Sequence, residues 1–409
     1  MEIEPKEFWD DMKWSMNTNV KYLVFGICVA FVLLGAFVGV SVALASASTW
    51  HVDDDLADYP DANFTKIQDA VDAASPGDTI IVYPGTYTEN VDVNKDHLTI
   101  KSENGAEVTI VQAANPDDHV FEVAASYVTV SGFTIKGATQ ATAGSQKAGV
   151  YICEVQLCRV SNNMLADNFV GIWVWYSEDI TLLNNAVTKN TFGIVITGSY
   201  NCNLVNNSMW DNIRNLSVVG WEYELSSFLH NIDNSNTVNG KPVWYLINKS
   251  DMAIDSNWEV GFLGLINCTN IMVQDLSINH NGEGILIAFS TGVSVQNVTV
   301  SKNSKGICIT DSSDCIIKDS SIFDNGHGVY LRSARFITIV NNKIEGNCWD
   351  GVTLFVSSNN TIENNRIVSR EGAVGLYLFE SDYNEIESNI VSSGTCGFDI
   401  DFSEHNLSL

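Results

Sequence analysis

The sequence predicts an all-β fold, a right-handed parallel β-helix of about 22 residues and three strands per coil, and three observations predict it. Turn residues ahead of Ile/Val-rich runs recur at Gly149, Gly171, Gly193, Asn215, Pro242, Phe262, Gly284, Gly306, Gly328, Gly351, Gly375 and Gly397, in steps of 22, 22, 22, 27, 20, 22, 22, 22, 23, 24 and 22 residues. A period this short marks a solenoid whose coils pack only on their neighbours. Positions one and three after each turn are apolar, as in Ile172 and Val174, Ile307 and Ile309, or Leu376 and Leu378. Such alternation describes a strand with one buried face. Helical repeats need about 33 residues or more, so the spacing leaves room for strands only.

Within each coil, the second strand points inward at Ile180 and Leu182 or at Ile337 and Ile339, and the third centres on residues such as Val187, Met209, Ile322 and Ile367. Between them an Asn recurs at Asn184, Asn206, Asn297, Asn341 and Asn364, replaced by Asp275 and Asp319 in two coils. A short amide side chain tolerates a tight turn and bonds its counterpart one coil away, so this ladder is architecture. The register blurs over 221–258, which reads as one coil with an enlarged loop.

Ahead of the repeats, residues 1–21 form a polar segment with five acids and three lysines. Residues 22–49 carry no charge and are long enough for a bilayer, which takes about 20 residues. This stretch is an N-terminal membrane anchor or a cleaved export signal with Ala43, Ala45 and Ala47 at its cleavage site, and its length favours the anchor. Residues 50–96 form a cap: Thr65 to Ala74 predicts a helix with a Thr65/Gln68 capping box, covering the open first coil ahead of the repeats at 97–409.

The net charge is −28, from 49 acidic and 21 basic residues, which excludes nucleic acid as a partner because phosphate binding requires basic patches. An extracellular or cell-surface location follows from the apolar segment and from eight glycosylation sequons at Asn63, Asn206, Asn215, Asn248, Asn267, Asn297, Asn359 and Asn406. Cys158, Cys202 and Cys315 fall on inward second-strand positions and read as small buried hydrophobes, while Cys153 and Cys158 are the nearest pair for a disulfide. No metal-ligand motif is present; Asp53, Asp54 and Asp55, with Asp58 and Asp61, would suit calcium but lack a loop signature, so a solvated acidic turn is the plainer reading.

Trp50-His51-Val52-Asp53, Ile67-Gln68-Asp69-Ala70-Val71, Pro76-Gly77-Asp78-Thr79-Ile80 and Pro84-Gly85-Thr86-Tyr87 resemble the N-terminal cap of pectate-lyase-like β-helix surface proteins. The repeats resemble the PbH1 repeats of the carbohydrate-binding and sugar-hydrolase (CASH) class and of NosD-like proteins, whose namesake is a periplasmic copper-maturation factor. The resemblance covers 50–409 and is similar in style to archaeal surface proteins. It implies fold and export. Activities transfer poorly: Gly326-His327-Gly328 matches a polygalacturonase-like turn, but Ser304-Lys305 stands where the paired aspartates belong. Copper handling would want clustered Met or His, and the methionines are scattered.

Outward positions of the first strand carry Tyr151, Trp173, Trp175, Trp244, Tyr330, Phe355, Tyr377 and Phe379, with a small-residue middle at Gly264, Ala288 and Thr310. Such a stripe suits stacking on sugar rings, or burial under a loop or a protein partner. One position before the turns, Glu283, Lys305, His327 and Asp350 follow each other in four coils. They read as a salt-bridge ladder, or as a His327–Asp350 acid/base pair assisted by Arg332. Three functions follow in order: a non-catalytic surface protein that binds a polysaccharide or glycan, with the last coil open to a protein partner or further chain; a polysaccharide lyase or glycoside hydrolase; and copper-maturation accessory work.

Overall fold

A computed structural model of the chain describes residues 47–142, 145–394 and 396–408. The predicted apolar segment lies outside these residues except for 47–49, of which Thr49 opens the first solenoid strand, Thr49–Val52. Among the described residues no helix is long and apolar enough to cross a membrane.

Among the described residues the architecture is a parallel β-solenoid of about 14 turns with one α-helix. The predicted inward positions line its interior: Ile196, Ile287, Ile309 and Leu331 are fully buried, as are Ile180, Leu182, Ile337 and Ile339. Successive coils stay in register residue for residue, with Ile287 beside Ile309 and Ile309 beside Leu331. The solenoid already begins inside the predicted cap, since Thr49–Val52 pairs with Thr79–Val82 and the latter with Thr99–Ser102. The helix is Ile67–Ala73, and it buries Ile67, Ala70 and Val71. Its capping differs from expectation. Thr65 does not cap it; the carboxylate of Glu89 accepts hydrogen bonds from the amides of Ile67 (2.9 Å) and Gln68 (3.0 Å). A carboxylate from the next coil satisfies the orphan amides and complements the helix dipole.

The chief departure lies in the enlarged loop. Thr237–Val238, the last third strand of the first block of coils, turns back and pairs antiparallel with Lys241–Pro242. The strand Lys241–Ile247 then starts the first-strand sheet of a second block. One sheet of 15 strands therefore runs from the third-strand side of one column into the first-strand side of the other. The columns are not coaxial. The end of the first packs against the outward face of the second: Phe262, Ile266, Leu286, Ala288 and Cys308 join the core of the first column, while Leu263, Leu265, Ile285 and Ile287 line the interior of the second.

Trp244 is displaced by this shift. Val243, not Pro242, pairs with Phe262, so Trp244 stands beside inward Leu263. A one-residue slip reverses the face of every side chain. Val243 and Tyr245 face the first column, while Trp244 packs on the second column's interior and meets Trp258 edge-on at 4.6 Å. Trp244 is thus a plug on the second column and not part of an outward stripe. Gly264 is small for the same reason: a Cβ there would lie 2.6 Å from the Tyr245 ring.

The Asn turn ladder is present at the surface, with Asn184, Asn206, Asn297, Asn341 and Asn364 all at positive φ. Two further Asn ladders lie inside. In one, Asn185 donates to Val160 O (2.9 Å) and to Asn207 Oδ1 (2.9 Å), and that same oxygen accepts the Asn185 amide (3.1 Å). In the other, Asn168, Asn190 and Asn212 repeat the pattern in the first column, and Asn303, Asn325 and Asn347 in the second. Each buried amide spans three coils and pairs backbone groups that the turns leave open.

Two other expectations change. The described cysteines are all free, so Cys153 and Cys158 form no bridge. Cys158, Cys202 and Cys315 are buried as expected, and burial pushes their thiols up to about 11, 12 and 11. Asn215 is not a glycan acceptor, because it is fully buried and its Nδ2 donates to His280 O (2.9 Å). Asn63, Asn206, Asn248, Asn267, Asn297 and Asn359 are exposed and Asn406 is half-buried.

Two substitutions test this packing. Ile309→Asp buries a charge in the second column and abolishes folding, read as loss of a cooperative thermal transition. Asn207→Ala strands the Asn185 amide and lowers stability by about 1–3 kcal/mol, whereas the exposed Asn206→Ala stays within about 0.5 kcal/mol in urea unfolding.

Candidate functional site: the corner between two columns

The predicted stripe is divided between two faces. Tyr151, Trp173 and Trp175 lie on the first-strand sheet of the first column, and Tyr330, Phe355, Tyr377 and Phe379 on that of the second. All seven are half-buried. They shield one another: His119 stacks on Tyr151 at 4.3 Å, Tyr151 meets Trp173 at 5.2 Å, Trp173 meets Trp175 edge-on at 5.2 Å, and Phe355 stacks on Phe379 at 5.0 Å. Rings in such offset and edge-on arrangements gain about 0.5–1.5 kcal/mol per pair beyond burial.

The two faces meet in a corner. The strand Arg214–Val219 ends the first column's sheet, and its free edge meets the turn at 280–283 of the second. Asn215 N donates to His280 O, Gly282 N to Leu216 O, and Val218 N to Glu283 Oε2 at 3.2 Å. A Cβ on Gly282 would lie 2.3 Å from that of Ser217, so only glycine admits this approach. From the end of the strand, residues 220–230 cross the outward face of the second column. Trp221 stacks on Tyr176 at 5.0 Å, and Phe228 packs edge-on to Phe289 at 5.9 Å.

Arg332 holds this crossing. Its Nη2 donates to Gly220 O (3.1 Å), its Nε donates to Thr310 Oγ1 (3.1 Å), and Glu222 lies 3.7 Å away. The structure therefore engages Arg332 as a clamp on the crossing segment. It brings His327 and Asp350 together instead. His327 Nδ1 is 3.1 Å from Asp350 Oδ2 and 2.9 Å from Thr353 Oγ1, whose hydroxyl donates to the same Asp350 oxygen at 3.0 Å. The ring also lies edge-on to buried Trp349 at 5.1 Å.

The remainder of that column is a buried ion pair at the corner's floor. Lys305 Nζ is 3.2 Å from Glu283 Oε1, with the two residues 7% and 1% exposed. Glu283 also accepts from Ser217 Oγ (3.1 Å), and the Lys305 ammonium sits 5.3 Å above the Tyr330 ring. The ladder was expected at the surface; the arrival of the first column covers it. A buried pair is held only when hydrogen bonds complete it, as they do here. Sequence reasoning missed Tyr176, Trp221 and Ser217, because their role depends on the crossing of the two columns and leaves no periodic mark.

Two packed columns, two aromatic faces and a polar corner define a parallel β-solenoid repeat protein. Comparison makes this specific. The family model described as "Periplasmic copper-binding protein (NosD)" matches residues 71–257 and 231–407, and the chain belongs to this family. A "Cell surface glycoprotein" of the archaeon Methanothermus fervidus is 38% identical over 115 residues, which is 28% of this chain and 17% of that relative's length. The protein is a cell-surface protein. Among solved structures, a mannuronan C-5 epimerase A-module of Azotobacter vinelandii covers 84% of this chain and 93% of its own at 12% identity and TM-score 0.33. An alpha-1,3-glucanase catalytic unit of Streptomyces thermodiastaticus covers 82% and 65% at 13% identity and TM-score 0.35. Neither of these likenesses bears on activity.

Among the described residues no donor set that fits copper converges. Soft or imidazole donors would have to converge. Met164 and Met272 face solvent, and Met209 and Met252 pack inward on different columns. Among the described residues the sole group of three or more His, Cys, Asp or Glu with converging ligand atoms is Asp53, Asp54 and Asp55, all hard oxygen donors.

Two measurements probe the corner. Lys305→Met leaves Glu283 buried without its cation and lowers stability by about 3–5 kcal/mol in denaturant unfolding. His119 carries the pH dependence of the first face. Burial, with Lys147 behind it, lowers its pKa to about 3, and its Nδ1 accepts the Ala148 amide at 3.0 Å. A depressed pKa means that the unfolded chain binds the extra proton first. The contribution is complete above the unfolded value of about 6.5 and is lost as pH falls toward 3. His119→Asn, measured against the parent between neutral and mildly acidic pH, flattens that decline.

Proposed function

We propose that this protein is a non-catalytic cell-surface solenoid that binds a neutral polysaccharide or glycan along its two aromatic faces. One observation carries the reading: Trp173 and Trp175 on one column and Tyr330, Tyr377 and Phe379 on the other remain half-exposed on sheets whose inward residues already fill the cores. Half-shielded rings are held rigid yet keep a face for the C–H surface of a sugar. Neighbouring hydroxyl and carboxylate groups offer hydrogen bonds, as Asp401 does beside Tyr377 OH at 3.3 Å. Exposed sequons at Asn63, Asn206, Asn248, Asn267, Asn297 and Asn359 support a glycosylated exterior. Phe398, Ile400 and Phe402, 40%, 48% and 82% exposed on the last described coil, offer an apolar surface to a protein partner or to further chain.

The second reading is a polysaccharide lyase or hydrolase centred on His327, which the His327–Asp350–Thr353 arrangement favours. A glycan array with product analysis separates the two. The binding reading expects retention without cleavage, with affinity reduced about tenfold or more by Trp173→Ala/Trp175→Ala or by Tyr377→Ala/Phe379→Ala, since each lost stack removes about 1–3 kcal/mol of apolar contact. Turnover abolished by His327→Ala would establish the enzyme reading. Rings whose removal weakens no glycan or protein ligand would refute the binding one.

A further inference from the structure

The N-terminal turn of the first column carries a second candidate site, remote from the corner. Asp53, Asp54 and Asp55 each present one carboxylate oxygen, and these oxygens all lie within 4.8 Å of one another. Among the described residues no Lys, Arg or His forms an ion pair with the three. An acidic cluster alone is an ordinary surface feature. What sets this one apart is Asp53, which is 1% exposed and whose buried Oδ2 has no hydrogen-bond partner. An ionised carboxylate loses several kcal/mol of hydration on burial and normally recovers it through partners.

The three groups are also positioned. Asp54 Oδ2 accepts the Thr86 amide at 2.8 Å and lies against Gly85, where a Cβ would come within 2.5 Å of the carboxylate. Asp55 Oδ1 accepts the Ala57 amide at 2.8 Å. The turn is braced from behind by the Tyr59 ring, stacked on Tyr83 at 3.6 Å. The fold thus holds three carboxylates together at a point where one buried oxygen has no hydrogen-bond partner.

We infer that Asp53, Asp54 and Asp55 form a calcium-binding site that pins the first coil to the second. The ion class follows from the donors and their spacing. Three carboxylates are hard anionic ligands. Oxygens within 4.8 Å of one another fit inside a Ca²⁺ shell, whose ligands stand about 2.3–2.6 Å from the ion in flexible geometry. Mg²⁺ demands a near-ideal octahedron at about 2.0–2.1 Å and keeps several waters, so it suits three protein carboxylates on one turn less well. Because Asp54 is bonded to Thr86 in the next coil, the ion would link the opening turn to the strand Gly85–Thr88 and secure the end at which the helix sits.

The experiment uses the full-length chain. Thermal unfolding is followed in EDTA, in Ca²⁺ and in Mg²⁺ at matched ionic strength, and binding is titrated with Ca²⁺ by calorimetry and with Tb³⁺ by tyrosine-sensitised luminescence, for which Tyr59 and Tyr83 are the antennae. The expected result is one saturable Ca²⁺ per chain. The melting midpoint should rise by several degrees in Ca²⁺ and by less in Mg²⁺, as linkage requires of a ligand bound to the native state. Asp55→Asn, on an exposed side chain that leaves folding intact, should weaken Ca²⁺ at least tenfold and remove the luminescence; Asp53→Asn should do the same, and Asp61→Asn should not. Absence of saturable Ca²⁺ binding overturns the site. So does a calcium effect of equal size in Asp55→Asn and the parent, which would assign it to general screening of an acidic chain.

Discussion

A parallel solenoid cannot close on itself, and the whole molecule is arranged around that constraint. Every coil satisfies its backbone through the coil before and after it, so an end exposes both unpaired strand edges and a cross-section of apolar core. At the start of the first column the helix Ile67–Ala73 lies over the opening, with Glu89 binding its first amides. At the other end the short 3-10 turn Leu225–Phe228 adds Phe228 to the core. The column is covered by the side of the next one, whose outward Leu286, Ala288 and Cys308 complete its core. Trp244 and Trp258 in turn cover the start of the second column. One strand, Lys241–Ile247, serves both: alternate residues face opposite cores.

Interior polarity obeys the same logic. Coil turns leave backbone amides pointing into the wall of the tube, where water does not reach. A buried Asn has one acceptor and two donor hydrogens, enough to receive the amide below and bridge to the coils on either side. Repetition turns this into a continuous ladder, broken near Asn236 and Asn212, where the chain changes columns: Asn236 turns to Asp233 O and Asn212 to Asn215 Oδ1. The buried ladders thus tie each coil to its neighbours alongside the aliphatic stacks.

What the sequence disclosed follows from this one-dimensionality. Strand positions, inward residues such as Ile309 and Leu331, buried cysteines and the capping helix repeat or flank a repeat, and nearest-neighbour reasoning suffices for them. The failures cluster where coils stop being nearest neighbours. Trp244 was placed on the wrong face by a single residue. Asn215, an ordinary sequon in one dimension, is buried because a second column meets it. Glu283 and Lys305 seemed a surface pair for the same reason. The small Gly264 and Gly282 were the available clue: a run of residues too small for an open stripe marks a place where backbone or rings approach. The outer Asn ladder was legible and is present, whereas the buried one at Asn185 and Asn207 left no mark of its own beside it, because each buried Asn follows an outer one directly in sequence.

The corner also bears on the choice between binding and catalysis. Acid/base chemistry on a sugar requires a proton-transfer group that reaches substrate and a second group that stabilises charge across the reacting bond. His327 and Asp350 touch each other and Thr353, so the imidazole is oriented, but Lys305, its neighbour on the adjacent strand, is paired with Glu283, and Arg332 with the crossing segment. A uronic-acid polymer would further have to approach a chain of net charge −28. Both features weigh against charge-stabilised cleavage of an acidic polysaccharide. Neither opposes stacking on neutral sugars, whose affinity comes from apolar ring faces and neutral hydroxyls. The corner that engages Lys305 and Arg332 is the same feature that brings two aromatic faces together, and so the constraint that closes the first column also shapes the proposed binding surface.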